Sequence, residues 1–328
     1  MKPVLISGIQ PSGRLHLGNY LGALKNFVDL QNSGKYDCYF FIADLHSLTE
    51  SYTPEEKRKQ ILELISDYLA VGLNPKKSVI FLQSQVLANS ELAFILNTIT
   101  PIGELRRMTQ YKEKSQNEKE TSNVGLFTYP TLMAADILIY DAKFVPVGDD
   151  QLQHLELART LARKFNSRFG KIFVEPQPLL TKSPRVMSLG DPTKKMSKSA
   201  PQTCLFLEDS PEEIKSKIKH AVTDSGNEIK FDQNKKPGLS NLLNIYSALS
   251  EKPIAKIEKE FANQNYGSFK SALANLIIEN LADYRKLKKS LKSKTHNLKT
   301  ILNAGSKKAS LRANKKIAEV KNKIGLNL

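Results

Sequence analysis

The chain has 328 residues, 40% hydrophobic and 25% charged, a composition that leaves room for two domains and a sizeable core. No apolar run reaches the ~20 residues of a membrane span, the opening MKPVLISGIQ is too short an apolar run for a signal peptide, and two cysteines, Cys38 and Cys204, give neither metal spacing nor a disulfide framework, so a cytoplasmic protein is expected. The net charge of +16 is uneven, with 14 Lys or Arg against the single acid Glu319 over residues 285–328, a bias that suits a polyphosphate partner or a lysine-rich solvated helix face.

Four apolar runs read as buried parallel strands: PVLISGI at 3–9, CYFFIAD at 38–44, SVIFLQS at 78–84 and KFVPVG at 143–148. Helical spacing follows the first at 19–31 and the second at 54–73, where Pro54 stands early and apolar residues recur at 61, 62, 65, 69 and 71. This alternation predicts an α/β domain with a mostly parallel sheet over 1–205, carrying a helical insertion at about 85–125. Beyond residue 206 the strand signals fade. PEEIKSKIKHAV, LSNLLNIYSAL, PIAKIEKEFA and FKSALANLIIENLADYRKLKKSL all carry helical spacing. An all-helical, basic domain is expected over 206–328, with Gly305 breaking its tail into two helices.

Candidate chemistry lies at strand ends, where an open parallel sheet binds its ligands. SGIQPSGRLHLGNYLGAL (7–24) runs from a strand through a tight turn into a helix beginning near His16. The free N–H groups of such a helix start attract phosphate. Gly18 leaves the backbone open to a nucleotide, and His16 and Asn19 offer donors. In YPTLMAAD, Pro130 suits the first turn of a helix, and Tyr129, Met133 and Asp136 share one face of it. A ring, a thioether and a carboxylate there suit a flat aromatic ligand with one hydrogen-bond donor, tryptophan or tyrosine; the same spacing also suits core packing with Asp136 paired to a lysine. VPVGDDQLQH (145–154) is another strand end, with Gly148 and two acids, Asp149 and Asp150, able to accept from ribose hydroxyls or to cap a helix. PTKKMSKSAP (192–201) lies between prolines and cannot order itself, so Lys195 and Lys198 read as a flexible cationic clamp for a triphosphate. No GxxxxGK[ST] motif is present.

His16-Leu17-Gly18-Asn19 resembles the HIGH signature, and Lys195-Met196-Ser197-Lys198-Ser199 matches KMSKS letter for letter, the pair that marks class I aminoacyl-tRNA synthetases. GIQPSG, GELRRMTQYKEKS, YPTLMAADILIY, RVMSLGDPTKKMSKS, AVTDS and GLSNLLNIYSALS resemble the bacterial tryptophanyl-tRNA synthetases over nearly the whole chain. The resemblance implies a Rossmann-like doubly wound catalytic domain, a helical anticodon-binding domain and a homodimer. The implied activity is ATP-dependent charging of tRNA(Trp) with L-tryptophan through a tryptophanyl-adenylate, with Mg²⁺ carried on ATP.

The resemblance further implies that Gln10, Pro11, Ser12, His16, Gly18 and Asn19 hold ATP from one side. Gly148, Asp149, Asp150 and Val186 hold its nucleoside, and Lys195, Met196, Ser197, Lys198 and Ser199 close over it. Lys195, Lys198 and His16 would be catalytic, with Lys114 a further phosphate contact. Asp136 would bind the indole nitrogen, with Tyr129, Met133, Gln151 and Ile6 lining the pocket; relatives often carry phenylalanine at Ile6. Rival readings are a tyrosyl enzyme of the same class, a nucleotidyltransferase sharing the HxGx turn, and a non-catalytic RNA-binding paralogue.

Overall fold

The computed structural model describes residues 2–109, 111, 123–148, 151–180 and 185–327. Its sheet contains β1 (Val4–Ile9), β2 (Asp37–Ile42), β3 (Val79–Leu82), β4 (Phe144–Val147) and β5 (Gln177–Leu180). They run in the order β3-β2-β1-β4-β5, every pair parallel. The first four lie on the four apolar runs. Adjacent residues of a strand face opposite sides, and here both sides are covered. Leu5, Phe40 and Ile42 enter one hydrophobic cluster, while Val4, Ile6, Tyr39 and Phe41 enter the other. Burial on both faces explains why these strands read as continuous apolar runs. β5 was not expected, because it is an edge strand with Gln177, Pro178 and Leu180 exposed; proline is tolerated at an edge, where no ladder N–H is needed.

Helices fill both faces. Pro54–Ala70 starts at a capping box: Glu56 N–H donates to Thr53 Oγ1 at 3.2 Å and Thr53 N–H donates to Glu56 Oε2 at 2.9 Å. Helix Val124–Leu138 does not begin at Pro130 as expected. Asn123 caps it, its Oδ1 accepting from Leu126 N–H at 2.9 Å, so Pro130 lies inside the helix. The earlier start is favoured because Asn123 supplies the acceptor that the first turn needs.

Beyond residue 206 the described elements are Pro211–Lys219, Pro237–Ser250, Ile254–Glu260, Tyr266–Asn280, Ala282–Lys292 and Thr295–Lys323, all helical. Gly305 does not break the tail: Thr295–Lys323 is one continuous helix of 29 residues. A Cβ built on Gly305 would stand 1.8 Å from the carbonyl oxygen of Ile80, so glycine is required for the helix to touch β3 rather than to end. The helix crosses the sheet edge there. Leu298 and Leu302 join the cluster on one face, and Ala309, Ala313, Ile317 and Val320 join the cluster on the other. Covering the β3 edge in this way removes a row of unpaired strand groups.

Candidate active site

The turn after β1 is built for close approach. Gly13 has φ +90°, a conformation that only glycine adopts cheaply. His16 is the residue before the helical turn Leu17–Asn19, and its backbone N–H donates to Asn19 Oδ1 at 3.1 Å. Asn19 therefore spends its amide oxygen on the turn and keeps its NH₂ for other partners. A Cβ on Gly18 would sit 2.9 Å from His16 Nδ1 and 3.6 Å from Val186 Cβ; the missing side chain lets the imidazole lie over the turn. Burial, reinforced by the charge of Lys198, lowers the His16 pKa to about 4. His16 is thus neutral at physiological pH and offers one N–H rather than a charge.

The lysine loop carries anchoring contacts that its composition does not suggest. Met196 is buried among Val186 and Leu189, and its N–H donates to Val186 O at 3.1 Å. Met187 and Lys195 form an antiparallel bridge, and Ser188 N–H donates to Lys194 O at 2.9 Å. One buried thioether thus anchors a segment in which Thr193, Lys194, Lys195, Ser197 and Ser199 are exposed. Behind the loop, Leu17 N–H donates to Leu205 O at 2.8 Å, and Leu207 N–H to Leu15 O at 3.0 Å. The two signature segments are therefore joined by main-chain bonds. Lys198 completes the union, donating to Ser12 O at 3.1 Å and Ser12 Oγ at 3.0 Å. Burial lowers its pKa, with Glu50 opposing. Lys195 is exposed and has no hydrogen-bond or ion-pair partner among the described residues, whereas Lys194 pairs with Asp191 at 3.2 Å. Ser197 Oγ and Ser199 Oγ lie 2.9 Å apart.

Beside the turn opens a cavity of about 420 Å³ at the carboxyl ends of β1, β2 and β4, a size suited to a small organic ligand. Ile6, Tyr129, Met133, Asp136 and Gln151 all line it, as does Gln10. Pro11 is buried beneath the turn and Gly148 is exposed just past β4. Lys114, Asp149 and Asp150 lie outside the described residues.

Asp136 is buried and does not pair with a lysine among the described residues. Its Oδ2 accepts from His46 Nε2 at 2.8 Å and Gln83 Nε2 at 2.7 Å, and its Oδ1 accepts from Asn89 Nδ2 at 2.7 Å. A carboxylate has about four acceptor sites, so among the described residues one remains, on Oδ1. Tyr129 Oη bonds His154 Nε2 at 2.6 Å, and burial raises its pKa to about 12. His46, Gln83, Asn89 and His154 were not anticipated from the sequence. His46 and Gln83 follow β2 and β3, so the strand-end rule applied to every strand would have found them; Asn89 and His154 carry no such signal.

A 3-2-1-4-5 parallel sheet whose first strand leads through a glycine turn into a helical turn is the architecture of Rossmann-type nucleotide-dependent enzymes. Comparison with known proteins narrows that class. The chain belongs to the tRNA synthetases class I (W and Y), whose family model matches residues 1–282. It is 49% identical over 327 residues to a tryptophan–tRNA ligase of Caldanaerobacter subterraneus subsp. tengcongensis, covering 99% of this chain and 98% of the relative. The crystal structure of tryptophanyl-tRNA synthetase from Mycoplasma pneumoniae matches with a TM-score of 0.90 at 36% identity, over 100% of this chain and 99% of that one. The Campylobacter jejuni enzyme complexed with ADP and tryptophan matches with a TM-score of 0.82 at 36% identity, over 98% and 99%.

Proposed function

We propose that this site activates L-tryptophan with ATP and transfers it to tRNA(Trp), with residues 1–205 performing the chemistry and the helical, basic residues 206–328 carrying the anticodon contacts. The observation that carries this reading is the junction of Lys198 with Ser12 beside the cavity that Asp136 lines. A tyrosyl specificity has less support: relatives at 46–49% identity over 98–99% of this chain are tryptophan–tRNA ligases.

The tryptophan carboxylate attacks the α-phosphorus of ATP in line, forming a mixed anhydride and releasing pyrophosphate. A terminal ribose hydroxyl of the tRNA then attacks the activated carbonyl, and AMP leaves. Neither step needs a covalent enzyme intermediate, so the protein contributes position and charge. Lys195 and Lys198 neutralise the departing pyrophosphate. Neutral His16, with Gln10, Pro11, Ser12, Gly18 and Asn19, holds the phosphates, and Mg²⁺ arrives on them as part of the substrate. Gly148, Asp149, Asp150 and Val186 are assigned to holding the nucleoside and Met196, Ser197 and Ser199 to closing over ATP, with Lys114 as a further phosphate contact. Indole N–H takes the open acceptor of Asp136, and Tyr129, Met133, Gln151 and Ile6 surround the substrate.

The working unit is a homodimer in the cytoplasm. Leu87 and Phe94, seven residues apart on one helix, are 80% and 71% exposed, and Val124 is 77% exposed. Phe94 and Leu48 share a cleft of about 400 Å³ with Asn123 and Gly125, the residues flanking Val124. An apolar patch of this kind supports an interface between subunits. Amino-acid-dependent ATP–pyrophosphate exchange tests the activity: tryptophan alone should drive it, and exchange driven by tyrosine alone would overturn the reading.

A further inference from the structure

The geometry points to the C-terminal helix as a positioning element of the tryptophan pocket, with Ser306 and Asn303 holding the turn that orients Asp136. This inference rests on the assignment of Asp136 to the indole nitrogen.

The contact begins where Gly305 meets Ile80 O with no room for a side chain. That approach sets the helix backbone directly against β3 at this point. One residue on, buried Ser306 presents its Oγ to the N–H of Leu82, which donates at 3.2 Å. Leu82 is the last residue of β3, and its N–H would otherwise be an unpaired group on a sheet edge. Asn303, on the outer face of the same helix, accepts from Gln85 Nε2 at 3.0 Å. The helix thus grips the chain on both sides of Gln83.

Gln83 is fully buried and reaches the pocket only through Asp136. Its Nε2 donates to Asp136 Oδ2 at 2.7 Å, and its Oε1 accepts from Leu45 N–H at 3.1 Å. Leu45 precedes His46, the other donor to Oδ2. Between them, Ser84 N–H donates to Asp44 Oδ1 at 2.9 Å. The turn 83–85 is therefore held from outside by the C-terminal helix and from inside by the strand-end residues. Any shift of Leu82 or Gln85 moves the amide that aims the Asp136 carboxylate. The carboxylate's remaining acceptor must be aimed well for an indole N–H to reach it, since hydrogen bonds weaken steeply once misaligned. Ser306 and Asn303 touch no substrate; they act through Gln83.

Steady-state pyrophosphate exchange on Ser306→Ala and Asn303→Ala tests this, with tryptophan and ATP varied separately. Ser306→Ala should raise the KM for tryptophan roughly 3- to 20-fold while leaving the KM for ATP and kcat at saturating tryptophan unchanged. Asn303→Ala, at an exposed position, should shift it the same way by less, and decides the matter if Ser306→Ala does not fold. An unchanged tryptophan KM in the folded variants, or equal losses for both substrates, overturns the inference. Asp136→Asn, measured in parallel, separates the two claims. A tryptophan KM insensitive to Asp136→Asn refutes the pocket assignment itself, whereas one that responds to Asp136→Asn but not to Ser306→Ala refutes only the role of the helix.

Discussion

The ammonium of Lys198 donates to both the carbonyl oxygen and the hydroxyl of Ser12, at 3.1 and 3.0 Å, across 186 positions of sequence. It ties the lysine loop to the turn after β1. The two loop lysines are therefore in different situations: Lys198 is half-buried and engaged, Lys195 is exposed.

Lys195→Ala should slow tryptophan-dependent pyrophosphate exchange about 100- to 1,000-fold, the usual cost of removing one preorganised group that stabilises transition-state charge. Tryptophan affinity should stay almost unchanged, because Lys195 does not line the cavity that contains Asp136. The chain contains no tryptophan, so ligand emission reports binding directly. Lys198→Ala should also raise the KM for ATP, since it releases the Ser12 turn. Equal losses of rate and tryptophan affinity in Lys195→Ala would refute the transition-state role.

The depressed pKa of His16 makes a pH prediction. In the unfolded chain the imidazole titrates near 6.5, and in the folded protein at about 4. Between those values the unfolded state binds more protons, so protonation favours unfolding. The ligand-free protein should therefore be unaffected by His16 above about pH 6.5 and lose stability as pH falls toward 4. Thermal melts at pH 7.5 and 5 should show a smaller acid-induced drop in His16→Gln than in the parent. An identical drop would mean that His16 titrates normally.

Phe94→Asp places a charge in the apolar patch of Leu87, Phe94 and Leu48. Because Phe94 is 71% exposed, the fold of one subunit should survive, with a stability change of about 0.5 kcal/mol or less. Sedimentation equilibrium should show a shift from dimer toward monomer at micromolar concentration. A dimer of undiminished affinity would place the subunit interface elsewhere.

Legibility of this molecule in its sequence follows burial. β1 to β4 are covered on both faces, so each stands out as an apolar run, while β5 at the edge has no such run. Tyr129, Met133 and Asp136 share one helix, and their spacing alone brings them to one cavity. The donors to Asp136 could not be seen the same way: His46 is 90 positions away, Gln83 53 and Asn89 47. Each looks like an ordinary polar residue until the sheet folds. With those donors in place, Asp136 does not wait unsatisfied for its ligand, so an unpaired carboxylate contributes little to rejecting a ligand that lacks a hydrogen-bond donor. Gly305 was misread for a related reason. Helix propensity is local, and the carbonyl of Ile80 that excludes a side chain is more than 200 residues away.

The helical region is also bound to the sheet through a buried ionic contact. Lys288 and Asp67 form an ion pair with side chains 3% and 4% exposed. Tyr284 Oη donates to the same Asp67 oxygen at 2.7 Å, and Lys288 donates to Glu63 O at 2.8 Å. This set ties helix Ala282–Lys292 to helix Pro54–Ala70, which flanks the sheet. Burial raises the Asp67 pKa, and the nearby Lys288 charge opposes that rise. Lys288→Met should therefore cost about 3–5 kcal/mol, because it strands a buried carboxylate. Asp67→Leu added to it removes that charge and should recover part of the loss. Recovery should remain incomplete, since Tyr284 Oη then lacks its acceptor, at a cost of about 1–3 kcal/mol. Adding Tyr284→Phe should restore most of the remainder. Urea midpoints should rise in that order, from the single to the double to the triple variant. A single variant as stable as the parent would mean that water reaches Asp67 and that this ion pair does not hold the helical region to the sheet.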